Sequence, residues 1–162
     1  MEFDVTVEIP KGGRNKYEMD LRTHRIHLDR TLFTATKYPA DYGYIEDTMG
    51  LGGTALDALV LVQEPTFPGC LVLSRAIGMF RMHDEDGPTP KVLCVPAGDY
   101  RLDYLQDIDN LEHFVKLEIQ HFFGVYKAVE PGKKVYIDEE PWGGREEAQA
   151  EITRGIDRAR TG

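Results

Sequence analysis

Cysteine is scarce in this chain: Cys70 and Cys94 are the only two in 162 residues. Both lie in apolar segments, which reads as buried free thiols rather than a disulfide or a metal pair. No apolar run approaches the ~18 residues of a membrane span, so none is expected. Basic charge is also short. Nineteen Lys and Arg face 28 Asp and Glu, for a net charge of −9, which argues against general nucleic-acid binding because that needs a basic face. The opening Met1-Glu-Phe-Asp has no basic region followed by an apolar stretch, so no signal peptide and a cytoplasmic location are expected. His24, His27, His83, His113 and His121 follow no metal-ligand spacing. Of these, His83 beside Asp84 is the one expected nearest a pocket. No repeat or low-complexity tract interrupts the chain.

What is present is ordinary for a soluble protein, with 41% hydrophobic and 29% charged residues. A single domain over residues 1–162 is expected, long enough for one core. Phe3–Ile9 alternates apolar and polar, the period of a half-buried strand. Tyr17–Leu21 and Arg25–Leu28 read as short strands around a turn. Ala58–Val62, Cys70–Ser74, Ala76–Arg81 and Val92–Val95 continue the pattern, which suggests a small barrel or sandwich. From Asp109, apolar residues Leu111, Phe114, Val115, Ile119, Phe122, Phe123 and Tyr126 recur at three- and four-residue steps, predicting an amphipathic helix. Asp109 with Glu112 resembles its capping box. Lys134–Ile137 reads as a short strand. A last helix follows from about Gly144 to Arg160, with Ala148, Ile152, Ile156 and Ala159 as a thin apolar stripe.

The candidate chemistry lies in three sets of side chains. Lys16, Arg30, Lys91 and Lys127 are cations suited to phosphate, and Tyr38, Tyr42, Tyr44 and Tyr126 add neutral donors. Glu8, Glu18 and Asp57 sit beside apolar neighbours, and Asp84, Glu85 and Asp86 form an acidic cluster. Taken singly, a lysine is usually a solvated surface group and a tyrosine usually core with a wet tip.

Taken together they form an ordered set. Glu8-Ile-Pro, Asn15-Lys-Tyr-Glu18, Leu28-Asp-Arg30, Tyr38-Pro-Ala-Asp-Tyr-Gly-Tyr44, Asp84-Glu-Asp-Gly and His121-Phe-Phe-Gly-Val-Tyr-Lys127 resemble family I soluble inorganic pyrophosphatase from about Phe3 to Arg158. The resemblance implies a mainly β fold with α: a five-stranded closed barrel of OB type flanked by helices, usually assembled as a homo-hexamer. It also implies Mg²⁺-dependent hydrolysis of diphosphate. Lys16, Arg30, Tyr42, Lys91, Tyr126 and Lys127 match its phosphate ligands, and Tyr38 matches a further tyrosine of its site. Glu8, Glu18, Asp57 and Asp84 match its acidic metal shell, with Asp57 and Asp84 as the residues of a weak or absent metal site.

Four positions depart from the family pattern, and three of them, Gly52, Thr54 and Thr89, replace carboxylates. Its signature Asp-Gly-Asp-Pro-x-Asp reads Gly52-Gly53-Thr54-Ala55-Leu56-Asp57 here, and its Asp-x-Lys reads Thr89-Pro90-Lys91. A neutral hydroxyl is a poorer Mg²⁺ ligand than a carboxylate and no base near neutral pH. The expectation is therefore a retained anion pocket recruited to acid–base chemistry on another phosphate- or carboxylate-bearing small molecule, with Glu8, Glu18, Asp57, Asp84, Tyr42 and Lys91 as its catalytic groups and no cofactor required. The alternatives are a weak Mg²⁺-dependent pyrophosphatase and a non-catalytic phosphate-compound binder.

Overall fold

The computed structural model describes residues 1–162. Nine strands and two helices follow in order: β1 (Glu2–Ile9), β2 (Asn15–Asp20), β3 (Arg25–Thr31), β4 (Asp41–Ile45), β5 (Asp57–Val60), β6 (Leu71–Asp84), β7 (Gly87–Pro88), β8 (Lys91–Pro96), α1 (His113–Val125), β9 (Val135–Gly144) and α2 (Arg145–Thr161). The sheet runs β1-β4-β5-β8-β6, and β6 pairs back onto β1, which closes a five-stranded barrel. Closure removes the unpaired strand edges of an open sheet. β2 and β3 form a separate hairpin, and β9 extends β6.

Continuous apolar runs in β5 and β8 have a simple cause. Successive side chains point to opposite faces of a strand, and here both faces are covered. Leu59, Leu93 and Val95 join one core with Ile119, Phe122 and Phe123 of α1. Ala58, Val60, Val92 and Cys94 join a second with Ala148 and Ile152 of α2. No helix is long and apolar enough to cross a membrane.

Several boundaries differ from the sequence expectation. The two runs before and after Arg75 are one fourteen-residue strand, β6. Arg75 sits within it because its guanidinium donates to the carbonyls of Leu105 and Leu102, at 2.6 and 3.0 Å. β4 was not expected as a strand. Gly43 is its centre because a Cβ there would lie 1.9 Å from the Thr6 carbonyl oxygen on β1. Lys91 does not precede a strand but opens β8. The predicted helix from Asp109 begins only at His113. Asp107 and Asn110, not Asp109 and Glu112, form the capping box, and it closes a short 3₁₀ turn. Leu111 then adopts an extended conformation, so the helical period does not reach back past α1. The short strand at Lys134–Ile137 belongs to the ten-residue β9. Cys94 is buried as expected, but Cys70 is only half-buried.

Candidate active site

Two local irregularities aim the acidic and basic groups. Along β1, Val7 pairs with Gly43 and Ile9 with Tyr42, so Glu8 is the extra residue of a bulge. Bulges redirect a side chain while leaving the flanking ladder intact. On the hairpin, Lys16 is paired with Arg30 and Tyr17 with Leu28. That register sets two cations side by side, and like charges directly opposite repel. The repulsion is offset locally: Lys16 Nζ contacts Glu18 Oε1 at 2.7 Å, and Arg30 pairs with Asp29 and Glu130.

The centre of the site comes from the barrel. In the parallel register of β5 and β8, Asp57 lies beside Lys91. Lys91 Nζ, on a side chain only 3% exposed, donates to Asp57 Oδ2 at 2.7 Å, Thr89 Oγ1 at 2.9 Å and the Tyr42 hydroxyl at 3.1 Å. It also lies 5.5 Å from the Tyr42 ring centre and 5.7 Å from that of Phe123, close enough for cation–π attraction.

One cleft of about 480 Å³ gathers Glu8, Lys16, Glu18, Tyr42, Tyr44, Thr54, Asp57, Asp84, Asp86, Thr89, Lys91, Tyr126 and Lys127. Burial pushes the Glu8 carboxyl up to about 7, a backbone N–H from Met19 pulls it partly back, and the Asp57 charge adds to the rise. Burial likewise drives the Tyr42 and Tyr126 hydroxyls well above their ordinary value. They stay protonated and can donate. Burial lowers Lys127, against the opposing pull of Glu85 and Asp84, whose carboxylate oxygens both lie 3.8 Å from its Nζ.

The remaining expected residues fall elsewhere. Arg30 lines an adjoining polar cleft with Lys16, Asp84 and Lys127. Gly52 lines a second hollow that shares Asp57, Asp84 and Thr89 with the first. Tyr38 does not reach the cleft. It is 2% exposed and packs on Tyr42 and Phe122, with ring centres 5.3 and 4.6 Å apart, so it backs the site rather than facing it. His83 pairs with Asp138 at 3.0 Å on the β6–β9 side and lines none of these clefts. Sequence reasoning missed Glu130, a buried carboxylate 2.7 Å from Arg30 Nε. Its Glu-Pro-Gly context reads only as a turn.

Comparison with known proteins decides the family. A family model described as inorganic pyrophosphatase matches residues 5–160. This chain belongs to the inorganic pyrophosphatase family. It is 61% identical over 158 residues to an inorganic pyrophosphatase of Streptomyces coelicolor, covering 98% of this chain and 96% of that protein. It is 50% identical to one from Corynebacterium glutamicum, covering 98% of each. The crystal structure of inorganic pyrophosphatase from Thermus thermophilus matches with a TM-score of 0.95 at 43% identity, over 98% of this chain and 91% of that one. These findings agree with the expected barrel and with an enzyme. They overturn the expectation of a pyrophosphatase scaffold recruited to another reaction. Gly52, Thr54 and Thr89 stand in a chain whose similarity extends over nearly the whole length of relatives bearing the pyrophosphatase name. The cleft still gathers acidic, basic and phenolic groups.

Proposed function

We propose that the chain hydrolyses inorganic diphosphate to two phosphates with a divalent cation, Mg²⁺ for preference. The observation that carries this reading is the convergence of Glu8, Glu18, Asp57, Asp84 and Asp86 with Lys16, Lys91 and Lys127 in one cleft. The donor set suits the cation: the ligands on offer are hard carboxylate oxygens, and neither histidine nor cysteine lines the cleft. Asp84, Glu85 and Asp86 also bring ligand atoms within 4.8 Å of one another. Asp57 and Asp84 are the residues that would hold the ion, with Asp86 beside them. When bound, such an ion neutralises diphosphate oxygens and makes nearby water more acidic.

The chain's own groups do the rest. Lys16, Arg30 and Lys127 bind the phosphoryl oxygens as charge-assisted donors, while Lys91, whose three N–H donors go to Asp57, Thr89 and Tyr42, adds its positive charge. The protonated hydroxyls of Tyr42 and Tyr126 orient them. Glu8 titrates near neutral pH, the range in which a carboxyl can both hold and release a proton. Its Oε2 accepts from Met19 N–H at 2.8 Å, so the transferable proton sits on Oε1. Thr54 and Thr89 supply hydroxyls rather than charge, so replacing them, or Gly52, with Asp is expected to tighten cation binding and raise turnover.

The same reading includes assembly with further copies of this chain, a hexamer by family analogy. It is supported by the 81% and 43% exposure of Phe114 and Leu117 on α1, and analytical ultracentrifugation checks it. The activity is tested by phosphate release from diphosphate, with Mg²⁺ and then with EDTA. Metal-dependent release is expected. A folded protein that releases none with Mg²⁺ or Mn²⁺ would end the reading.

A further inference from the structure

Glu130 is absent from the 480 Å³ cleft but lines the adjoining polar cleft with Arg30, and it carries no role in the reaction as described. It sits in the turn after α1, where its N–H donates to the Lys127 carbonyl at 3.0 Å. Its side chain is 4% exposed. A buried carboxylate is a poor stabiliser, because its desolvation cost roughly cancels its Coulombic gain. Its position under Arg30 therefore calls for another reason. Its Oε1 is 2.7 Å from Arg30 Nε, and Asp29 pairs with Arg30 Nη1. The third guanidinium nitrogen, Nη2, makes no hydrogen bond to the protein, and Arg30 lines the polar cleft shared with Lys16, Asp84, Lys127 and Glu130. Arg30 Nε and Glu130 Oε2 are both buried without a hydrogen-bond partner, so the 2.7 Å contact between the two side chains is a charge pair rather than a directed hydrogen bond.

The geometry points to Glu130 as a positioning residue: it fixes the guanidinium plane of Arg30 so that Nη2 is presented to a phosphoryl group of diphosphate. Carboxylates beside Nε and Nη1 hold the guanidinium by charge, and a planar guanidinium so held keeps its remaining donors in a set direction. Lys16, paired with Arg30 across the hairpin, would otherwise push that side chain away. The assignment rests on the diphosphate reading and adds a residue to it.

The sign of one measurement separates positioning from simple charge. Removing a negative charge near an anion site tightens binding if electrostatics alone matter, whereas losing orientation weakens it. Diphosphate binding is measured by calorimetry in EDTA, which needs no turnover. Glu130→Gln keeps the shape and is expected to weaken binding about tenfold, or about 1.4 kcal/mol. In an Arg30→Ala background the same change is expected to have no further effect. With Mg²⁺, KM should rise about tenfold and kcat stay within about twofold. Equal or tighter binding by Glu130→Gln, or an undiminished loss in the Arg30→Ala background, would overturn the assignment. Should Glu130→Gln not fold, Glu130→Asp keeps the charge but draws the carboxylate back from Arg30 Nε, so a similar loss is expected and unchanged affinity refutes the proposal. If the wild type binds diphosphate but releases no phosphate, the hydrolytic reading fails while the Glu130 result stands.

Discussion

Replacing Glu8 with Gln gives a test of the site that needs no substrate. Glu8 is held in a bulge where burial raises its carboxyl from 4.5 to about 7. The folded protein therefore keeps a proton that the unfolded chain has already released. Between those values the folded state binds more protons, so stability must fall as pH rises through the window. The contribution is fully present below 4.5 and lost above about 7. At 1.36 kcal/mol per unit, that gap corresponds to at most about 3 kcal/mol. Glutamine accepts the same N–H from Met19 and never ionises, so the variant should not carry this pH dependence. Urea unfolding in EDTA is expected to give equal stability for the two proteins near pH 4, with the variant more stable by about 2–3 kcal/mol at pH 8. A difference independent of pH would mean that Glu8 is not the buried, proton-holding group described, and its acid–base assignment would fall with it.

Two further outcomes follow from the same geometry. Lys91→Met removes the partner of Asp57; breaking a fully buried pair costs about 3–5 kcal/mol, but the Asp57 side chain is 29% exposed, so a loss of about 2 kcal/mol is expected in urea unfolding, together with loss of phosphate release. A stable but inactive variant would assign Lys91 to catalysis alone. Arg158 on α2 donates from Nε to the Met49 carbonyl at 2.8 Å, and the Met49 N–H donates to the Gly155 carbonyl at 2.9 Å. These two bonds tether the loop running into Asp57, so Arg158→Ala should cost about 1 kcal/mol and speed amide exchange in residues 49–56. Exchange confined to the end of α2 would show that the helix does not hold that loop.

The periodic parts of the fold were legible in the sequence because burial imposes a repeat. The alternation in β1 and the three- and four-residue steps of α1 could have arisen only from one-sided or two-sided packing. The start of α1 was not legible, since Leu111 fits the apolar step yet follows a 3₁₀ turn that Asp107 closes. β4 was hidden for a related reason. Gly43 is a poor strand former taken alone, and only the closeness of Thr6 on the neighbouring strand explains why glycine stands there.

Residue types alone determined the chemical vocabulary of the site: carboxylates, ammonium groups and phenols, with no thiol or imidazole cluster. The order of the motifs carried the resemblance to the family. Tertiary structure decided which groups share a cleft, because convergence depends on bulges and strand register rather than on spacing along the chain. It set Lys91 against Asp57, withdrew Tyr38 into the core and brought Glu130 beneath Arg30. Arg30 and Glu130 lie a hundred residues apart and meet where the β2–β3 hairpin reaches the turn after α1, and no local pattern encodes that contact.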